Sequence, residues 1–165
     1  MGFFRRTRLF RPRGEDRFAV ELAPEARAWL VNMADQLEEL LLDDTDDTKR
    51  LFPTAYPNDP ELDAGYQILA RDQLIDSRRA SIELLRSSAM LDVVSEEELV
   101  AWMGIVNDLR LVLGTRLDVS EDDHDLDVND PELEARVAYH ELGYILSEIV
   151  DALTTTLPPV DDADE

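Results

Sequence analysis

Apolar residues recur at helical spacing along most of the chain and predict four long helices. The clearest pattern covers residues 95–117, where Ser95 and Glu98 have the spacing of a capping box that starts a helix. At about 100° per residue, the large apolar side chains of this stretch fall on one face. They are Leu99, Trp102, Met103, Val106, Leu113 and Leu117. We therefore expect a central helix that is buried against the others.

Three further stretches have the start signals and the periodicity of helices. Pro24, Pro60 and Pro131 each suit the first turn of a helix, where the N–H that proline lacks would have no partner. The predicted helices cover residues 24–42, 60–90 and 131–157. The acidic run at 43–47 opposes the dipole of a helix C-terminus, which predicts a loop after the first helix. One face of the helix from Pro60 is expected to point inward, and it carries Leu62, Tyr66, Leu69, Ala80 and Leu84.

Residues 3–22 have a different pattern, with two extended segments on either side of a turn at Gly14. In the second segment polar and apolar residues roughly alternate, as a half-buried strand requires. The predicted fold is therefore mainly α, a bundle of about four long helices with an N-terminal β-hairpin. The expected organisation is a single domain, 1–165, with the hairpin at 3–22, the helical bundle at 24–157 and an acidic tail at 158–165.

Charge restricts the partners of the chain. It has 38 acidic and 16 basic side chains and a formal net charge of -22, so its field repels nucleic acids and anionic membranes at long range. Binding to DNA then requires a local basic patch. The chain has no cysteine, which excludes disulfides and thiol chemistry. No apolar run reaches the roughly 18 residues of a membrane span, so we expect a cytoplasmic protein without membrane contact.

The predicted hairpin is the most basic part of the chain. Its arginines alternate with phenylalanines in a pattern typical of a nucleic-acid-binding arm or of a contact surface for an acidic partner. They are Arg5, Arg6, Arg8, Arg11 and Arg13. Alternatively, these arginines pair with the acidic helices and reduce the repulsion between them, an interpretation that the strongly negative field favours.

Four arginines on the helix from Pro60 form a second, weaker candidate surface for DNA or a partner. They are Arg71, Arg78, Arg79 and Arg86. Asp72, Asp76 and Glu83 lie at ion-pairing spacings from them, which favours a salt-bridged helix face instead.

Arg110 lies in the middle of the apolar stripe of the central helix. A buried guanidinium requires a carboxylate and further hydrogen bonds, so Arg110 predicts a structural buried ion pair. The candidate partners are Glu141, Glu148 and Asp151 on the last helix and Asp72 and Asp76 on the helix from Pro60. The alternative is that the stem of Arg110 packs while its head reaches the surface.

Signals for metal binding and catalysis are incomplete. Asp123, Asp125 and Asp127 resemble a calcium loop, but Val128 stands where the required glycine would be. His140 begins a zinc-peptidase spacing whose second histidine is replaced by Tyr144. We therefore predict no metal, no cofactor and no catalytic residue, and expect a protein that is not an enzyme. A metal-dependent helical enzyme built on buried carboxylates stays an alternative.

Two segments carry a family resemblance: Arg50-Leu-Phe-Pro-x-Ala-Tyr-Pro-x-Asp-Pro60 and Asn107-Asp-Leu-Arg-Leu-Val-Leu-Gly-Thr-Arg-Leu117. They resemble an actinobacterial family, long described as a domain of unknown function, that is named for the oxidative-stress transcriptional regulator AosR. The residues that carry the resemblance include Arg50, Tyr56, Asn107, Asp108 and Arg116. The resemblance implies a cytoplasmic protein in gene regulation. Because family members are often encoded beside the ClpS adaptor, it also implies a second role, in regulated proteolysis.

The predicted function is that of a non-enzymatic regulatory protein. The first hypothesis is a transcriptional regulator of the oxidative stress response that acts through DNA or a protein partner. The chain lacks the cysteine that senses oxidants and a compact helix-turn-helix, so a protein partner is the physically easier route. The alternative hypothesis is an accessory or adaptor protein in Clp-dependent proteolysis.

Overall fold

Four long helices and a small sheet make up the structure, a computed structural model that describes residues 8–43, 45–119 and 128–156. The helices are α1 (Pro24–Leu42), α2 (Pro60–Ser88), α3 (Glu96–Arg116) and α4 (Leu133–Thr155). A short 3₁₀-helix, Asp46–Leu51, follows α1. The prediction of a mainly α fold with an N-terminal hairpin is confirmed. No helix within the described ranges combines the length and the hydropathy of a transmembrane span.

The start of α3 is fixed by the predicted capping box. The backbone N–H of Glu98 donates to Ser95 Oγ at 3.1 Å, and the backbone N–H of Ser95 donates to Glu98 Oε2 at 2.7 Å. These reciprocal bonds satisfy donors that the first turn of a helix leaves free. Asp59 caps α2 in a similar way by accepting from the N–H of Leu62 at 3.0 Å.

The hairpin consists of β1 (Phe10–Pro12) and β2 (Arg17–Val20), joined by a turn in which Gly14 has a φ of +80°. A third strand, β3 (Val93–Ser95), pairs antiparallel with β2, so the sheet order is β1-β2-β3. The sequence did not predict β3, because three residues are too few for a period-2 pattern. The third strand joins the hairpin to the start of the central helix.

Helix α3 is buried on more than one face because α2, α4 and the 3₁₀-helix all pack on it. Its buried residues include Leu99, Trp102 and Val106 from the predicted stripe, and also Ile105, Leu109 and Val112. The indole of Trp102 is fully buried and donates to Ser88 Oγ at 2.8 Å. The edge-to-face contact between Trp102 and Phe10, at 6.0 Å, joins the sheet to this core.

The predicted inward face of α2 is wrong. Leu62, Tyr66 and Leu69 are 50%, 42% and 78% exposed, whereas the fully buried residues of α2 lie near its C-terminal end, at Ile82 and Leu85. At about 100° per residue the buried residues Ile82 and Leu85 lie on the opposite side of α2 from the predicted stripe. Ala80, from the second half of that stripe, is also exposed, and Leu84 is only partly buried.

Arg27 on α1 is a buried residue that the sequence patterns did not single out. It is 7% exposed, and its guanidinium donates to four main-chain carbonyl oxygens. These belong to Val20, Leu22, Ala89 and Leu91, at 2.8, 2.9, 3.4 and 2.8 Å. One side chain therefore ties the end of the hairpin and the chain after α2 to the start of α1.

Candidate functional site

The basic hairpin is only partly within the described residues, because Arg5 and Arg6 lie outside them. Arg8, Arg11 and Arg13 are exposed. Among the described residues, their guanidinium groups form no ion pair with the acidic helices. The structure places these three arginines at the surface, and both interpretations of the basic hairpin stay predictions.

The arginines of α2 are held by carboxylates, mostly from α1. Arg86 donates to Asp35 at 2.6 Å, Glu38 at 3.1 Å and Glu83 at 2.6 Å, and these hydrogen bonds, led by that to Asp35, raise its pKa above the usual value. Arg79 lies 3.7 Å from Glu38. This arrangement matches the salt-bridged alternative, although the partners come chiefly from the neighbouring helix rather than from α2 itself.

Arg78 forms the ion pair that is most deeply placed among these arginines. Its Nε donates to Asp108 Oδ2 at 2.9 Å, and its Nη2 donates to the carbonyl of Leu51 at 3.0 Å. Asp108 is only 9% exposed. Desolvation raises the pKa of Asp108, while the charge and hydrogen bond of Arg78 lower it. Arg71 and Arg78 also stack near the ring of Phe52, at 4.2 and 5.3 Å.

This ion pair joins the two segments that carry the family resemblance. Leu51 and Phe52 belong to the first motif and Asp108 to the second, and Arg78 contacts all three. The other motif residues, Arg50, Tyr56, Asn107 and Arg116, are exposed. The motifs therefore include a structural contact between the 3₁₀-helix, α2 and α3.

The predicted carboxylate partner of Arg110 is wrong for the described residues. Arg110 Nη2 donates to Tyr139 Oη at 3.2 Å, the guanidinium carbon lies 4.8 Å from the centre of that ring, and Nε is buried without a partner. Glu148, one of the predicted partners, instead accepts from the backbone N–H of Leu9 at 2.9 Å. A tyrosine ring stands where a carboxylate was expected, and the negative face of such a ring attracts a cation.

An apolar groove of about 680 Å³ lies between the start of α1 and the first half of α4, and the residue before β1 also lines it. The side chains along its walls and floor include Trp29 and Ala26 on α1 and Val137 and Ala138 on α4. Leu9, Leu22, Leu133, Tyr144 and Ile145 complete the apolar lining. We call this surface the α1/α4 groove. Its size and apolar character are those of a binding site.

Glutamates are the charged residues of the α1/α4 groove. Glu25 on α1 and Glu134 and Glu141 on α4 line it, and none of its described lining residues is basic. All three carboxylate side chains are exposed. The groove therefore combines an apolar interior with a negative rim.

The sequence patterns did not find this groove. Helix α4 buries Leu142, Ile145, Ile149 and Ala152 in the core, and Val137, Ala138 and Tyr144 extend its apolar surface beyond that stripe. The apolar face of α4 is wider than packing against the core alone requires, and this width was the available signal in the sequence. Trp29, one position from the buried Leu30, was a second signal.

The incomplete metal-binding patterns of the sequence lie only partly within the described residues. Among residues 8–43, 45–119 and 128–156 no group of three or more His, Asp or Glu side chains could hold a metal ion. Asp123, Asp125 and Asp127, the core of the calcium-like pattern, lie outside the described residues. His140 is exposed and makes an edge contact with Tyr139 at 5.9 Å.

Comparison with known proteins gives one family. The family model described as "Domain of unknown function (DUF2017)" matches residues 5–153. Neither the curated proteins nor the solved structures include a significant match.

Proposed function

We propose that this chain, which belongs to the DUF2017 family, is a non-enzymatic regulatory protein that works by binding a protein partner in its α1/α4 groove. The family match agrees with the resemblance to a family described as a domain of unknown function. The name AosR and an actinobacterial origin stay predictions, and the regulatory role belongs to the proposal.

The groove is the observation that carries the proposal. Its lining is mostly apolar and comes chiefly from α1 and α4, and Val137 in it is 40% exposed. Concave apolar surfaces of this kind with a polar rim mark sites of interaction. The α2 arginines, by contrast, already have carboxylate or aromatic partners, which makes them a poor surface for phosphates.

The biological role that we propose is control of transcription in the oxidative stress response through a protein partner. The acidic chain and the glutamate rim favour a protein partner over DNA, because both repel phosphates. An adaptor role in Clp-dependent proteolysis would use the same surface.

Site-specific cross-linking tests the proposal. A photo-reactive amino acid at Val137 should trap one polypeptide in cells, whereas the same amino acid at Ile68, which is 74% exposed and outside the groove, should not. The trapped protein is identified by mass spectrometry, purified and titrated with the full chain. A trapped protein that binds equally well after Trp29→Ala, or equal adducts at both positions, would contradict groove docking.

A second candidate is direct DNA contact by the hairpin, which the exposure of Arg8, Arg11 and Arg13 favours. If the hairpin contacts DNA phosphates, replacing these three arginines by alanine should make the slope of log binding constant against log salt concentration shallower by about 3. Each phosphate contact contributes about 0.9 to this slope. Fluorescence anisotropy with duplex DNA across a salt series measures this. No salt-sensitive DNA binding by the wild-type chain would contradict this second candidate.

A further inference from the structure

We infer that the α1/α4 groove receives an amphipathic helix of about three turns from a partner protein, with apolar side chains that enter the groove and arginine or lysine residues beside them. This inference rests on the proposed protein-binding function. It adds the conformation and the charge of the bound segment.

The lining of the groove favours a helix over an extended segment. Apart from three glutamates and Tyr144, the lining side chains are apolar, so they offer few hydrogen-bond partners to a main chain. An extended peptide would place its N–H and C=O groups against this apolar surface without partners. A helix satisfies its main chain internally and can therefore lie in such a groove.

The dimensions of the groove set the length of the segment. Leu133 and Ile145, which lie at the two ends of the α4 wall, are 12 positions apart, and a helix rises by about 1.5 Å per residue. The wall is thus about 18 Å long, or roughly three turns. Such a segment presents apolar side chains at i, i+3 or i+4, and i+7 on one face.

Small residues across the groove make room for large side chains of the partner. Ala26 on α1 and Ala138 on α4 both line the groove, and Trp29 on α1 adds a large side chain to the same lining. Tryptophan at the centre of such a pocket is a frequent source of binding energy. The groove therefore fits leucine, methionine or aromatic side chains rather than polar ones.

The rim sets the charge of the partner. Glu25, Glu134 and Glu141 line the groove from both helices, and the whole chain carries a formal charge of -22. Glu134 and Glu141 are seven positions apart, so they stand about two turns from each other along the same wall. Basic residues at either end of the bound helix would face these carboxylates, and an acidic segment would be repelled.

Three labelled peptides of about 16 residues test the inference against the full chain by fluorescence anisotropy. The first has an apolar helical stripe with arginines at both ends, the second has glutamates in place of the arginines, and the third has two central prolines. We expect the first to bind saturably and the other two to bind at least about tenfold more weakly, because repulsion and loss of the helix oppose them.

Two pairs of variants locate the binding site. Ala138→Trp fills the groove and should weaken the first peptide about 30-fold, while the matched Ala64→Trp, on an exposed turn of α2, should have no effect. Replacing Glu25, Glu134 and Glu141 by glutamine should remove most of the salt dependence of the affinity for the first peptide. The control with equal charge change replaces the exposed Glu15, Glu39 and Glu61 and should retain it.

The outcomes separate this inference from the proposed function. If the acidic peptide binds as well as the first peptide, the inferred positive charge of the partner is wrong. If the proline peptide binds as well, the inferred helical conformation is wrong. Neither result contradicts docking in the groove. No peptide binding together with a cross-linked partner at Val137 overturns the inference alone. No peptide binding and no cross-link overturns both. Circular dichroism checks the fold of Ala138→Trp, and the surface glutamine variants decide the matter if that variant does not fold.

Discussion

Replacing Arg27 by methionine should lower the free energy of unfolding by about 4 kcal/mol, because four main-chain carbonyls around it lose their donor. Each buried acceptor left without a partner costs roughly 1–3 kcal/mol, and only part of this is recovered when the buried charge is removed. Methionine fills a similar volume, so cavity formation contributes little. Urea unfolding, followed by circular dichroism, measures the loss.

Two further variants show whether the hydrogen bonds of Arg27 are the cause. Arg27→Lys keeps the charge but not the planar set of donors, so it should recover less than half of the loss. Arg17→Met, which removes an exposed arginine from β2, should change the free energy of unfolding by no more than about 0.5 kcal/mol. A loss below about 1 kcal/mol for Arg27→Met would contradict the role given to this side chain.

Replacing Arg78 by methionine should destabilise the protein by about 3 kcal/mol at neutral pH, because it leaves the carboxylate of Asp108 buried without its cation. Desolvation already raises the pKa of Asp108 above 3.8, and Arg78 opposes that rise. Without Arg78 the pKa in the folded state rises further, whereas the pKa in the unfolded chain does not change. The folded variant therefore holds the proton more tightly than the unfolded variant does.

The sign of the pH dependence follows from this difference in pKa. A carboxyl group with a raised pKa in the folded state contributes stability at low pH and loses that contribution as the pH rises from its unfolded value through its folded value. The loss in free energy of unfolding of Arg78→Met relative to wild type should thus be largest near pH 7 and become smaller towards about pH 4. Urea midpoints measured across this range test the trend.

A double variant supplies the control for the ion pair. Arg78→Met combined with Asp108→Asn buries no charge, so its deficit should be smaller at neutral pH and nearly independent of pH over the same range. A deficit of Arg78→Met that stays constant between about pH 4 and pH 7 would mean that Asp108 does not titrate with the expected coupling.

Local signals predicted the four helices and the starts of α1, α2 and α3, whereas α4 begins at Leu133 rather than at Pro131. Ser95 and Asp59 act as caps, and α1 begins and ends where the proline, the apolar period and the acidic run placed it. Such signals act within one turn and so can be read from the sequence. Strand β3 depends on pairing with β2, about 75 positions earlier in the chain, and three residues carry no comparable signal.

Features that depend on tertiary contacts could not be predicted from the sequence patterns. Periodicity placed Arg110 in an apolar stripe but could not show that Tyr139 faces it. It placed Leu62, Tyr66 and Leu69 on one face of α2 but could not show that no element covers them. The groove is lined by residues of both α1 and α4, so it depends on how the two helices pack rather than on the pattern of either one.

The two tryptophans provide the most direct test of the docking surface. Trp29 lines the α1/α4 groove, whereas Trp102 is fully buried and bonded to Ser88, so their indole N–H signals report two different regions. The measurement is a titration of the ¹⁵N-labelled chain with the arginine-flanked helical peptide, with the signals assigned through Trp29→Phe. Docking in the groove predicts a saturable shift of the Trp29 indole and an unchanged Trp102 indole. An unchanged Trp29 signal at peptide concentrations that saturate the anisotropy would contradict it.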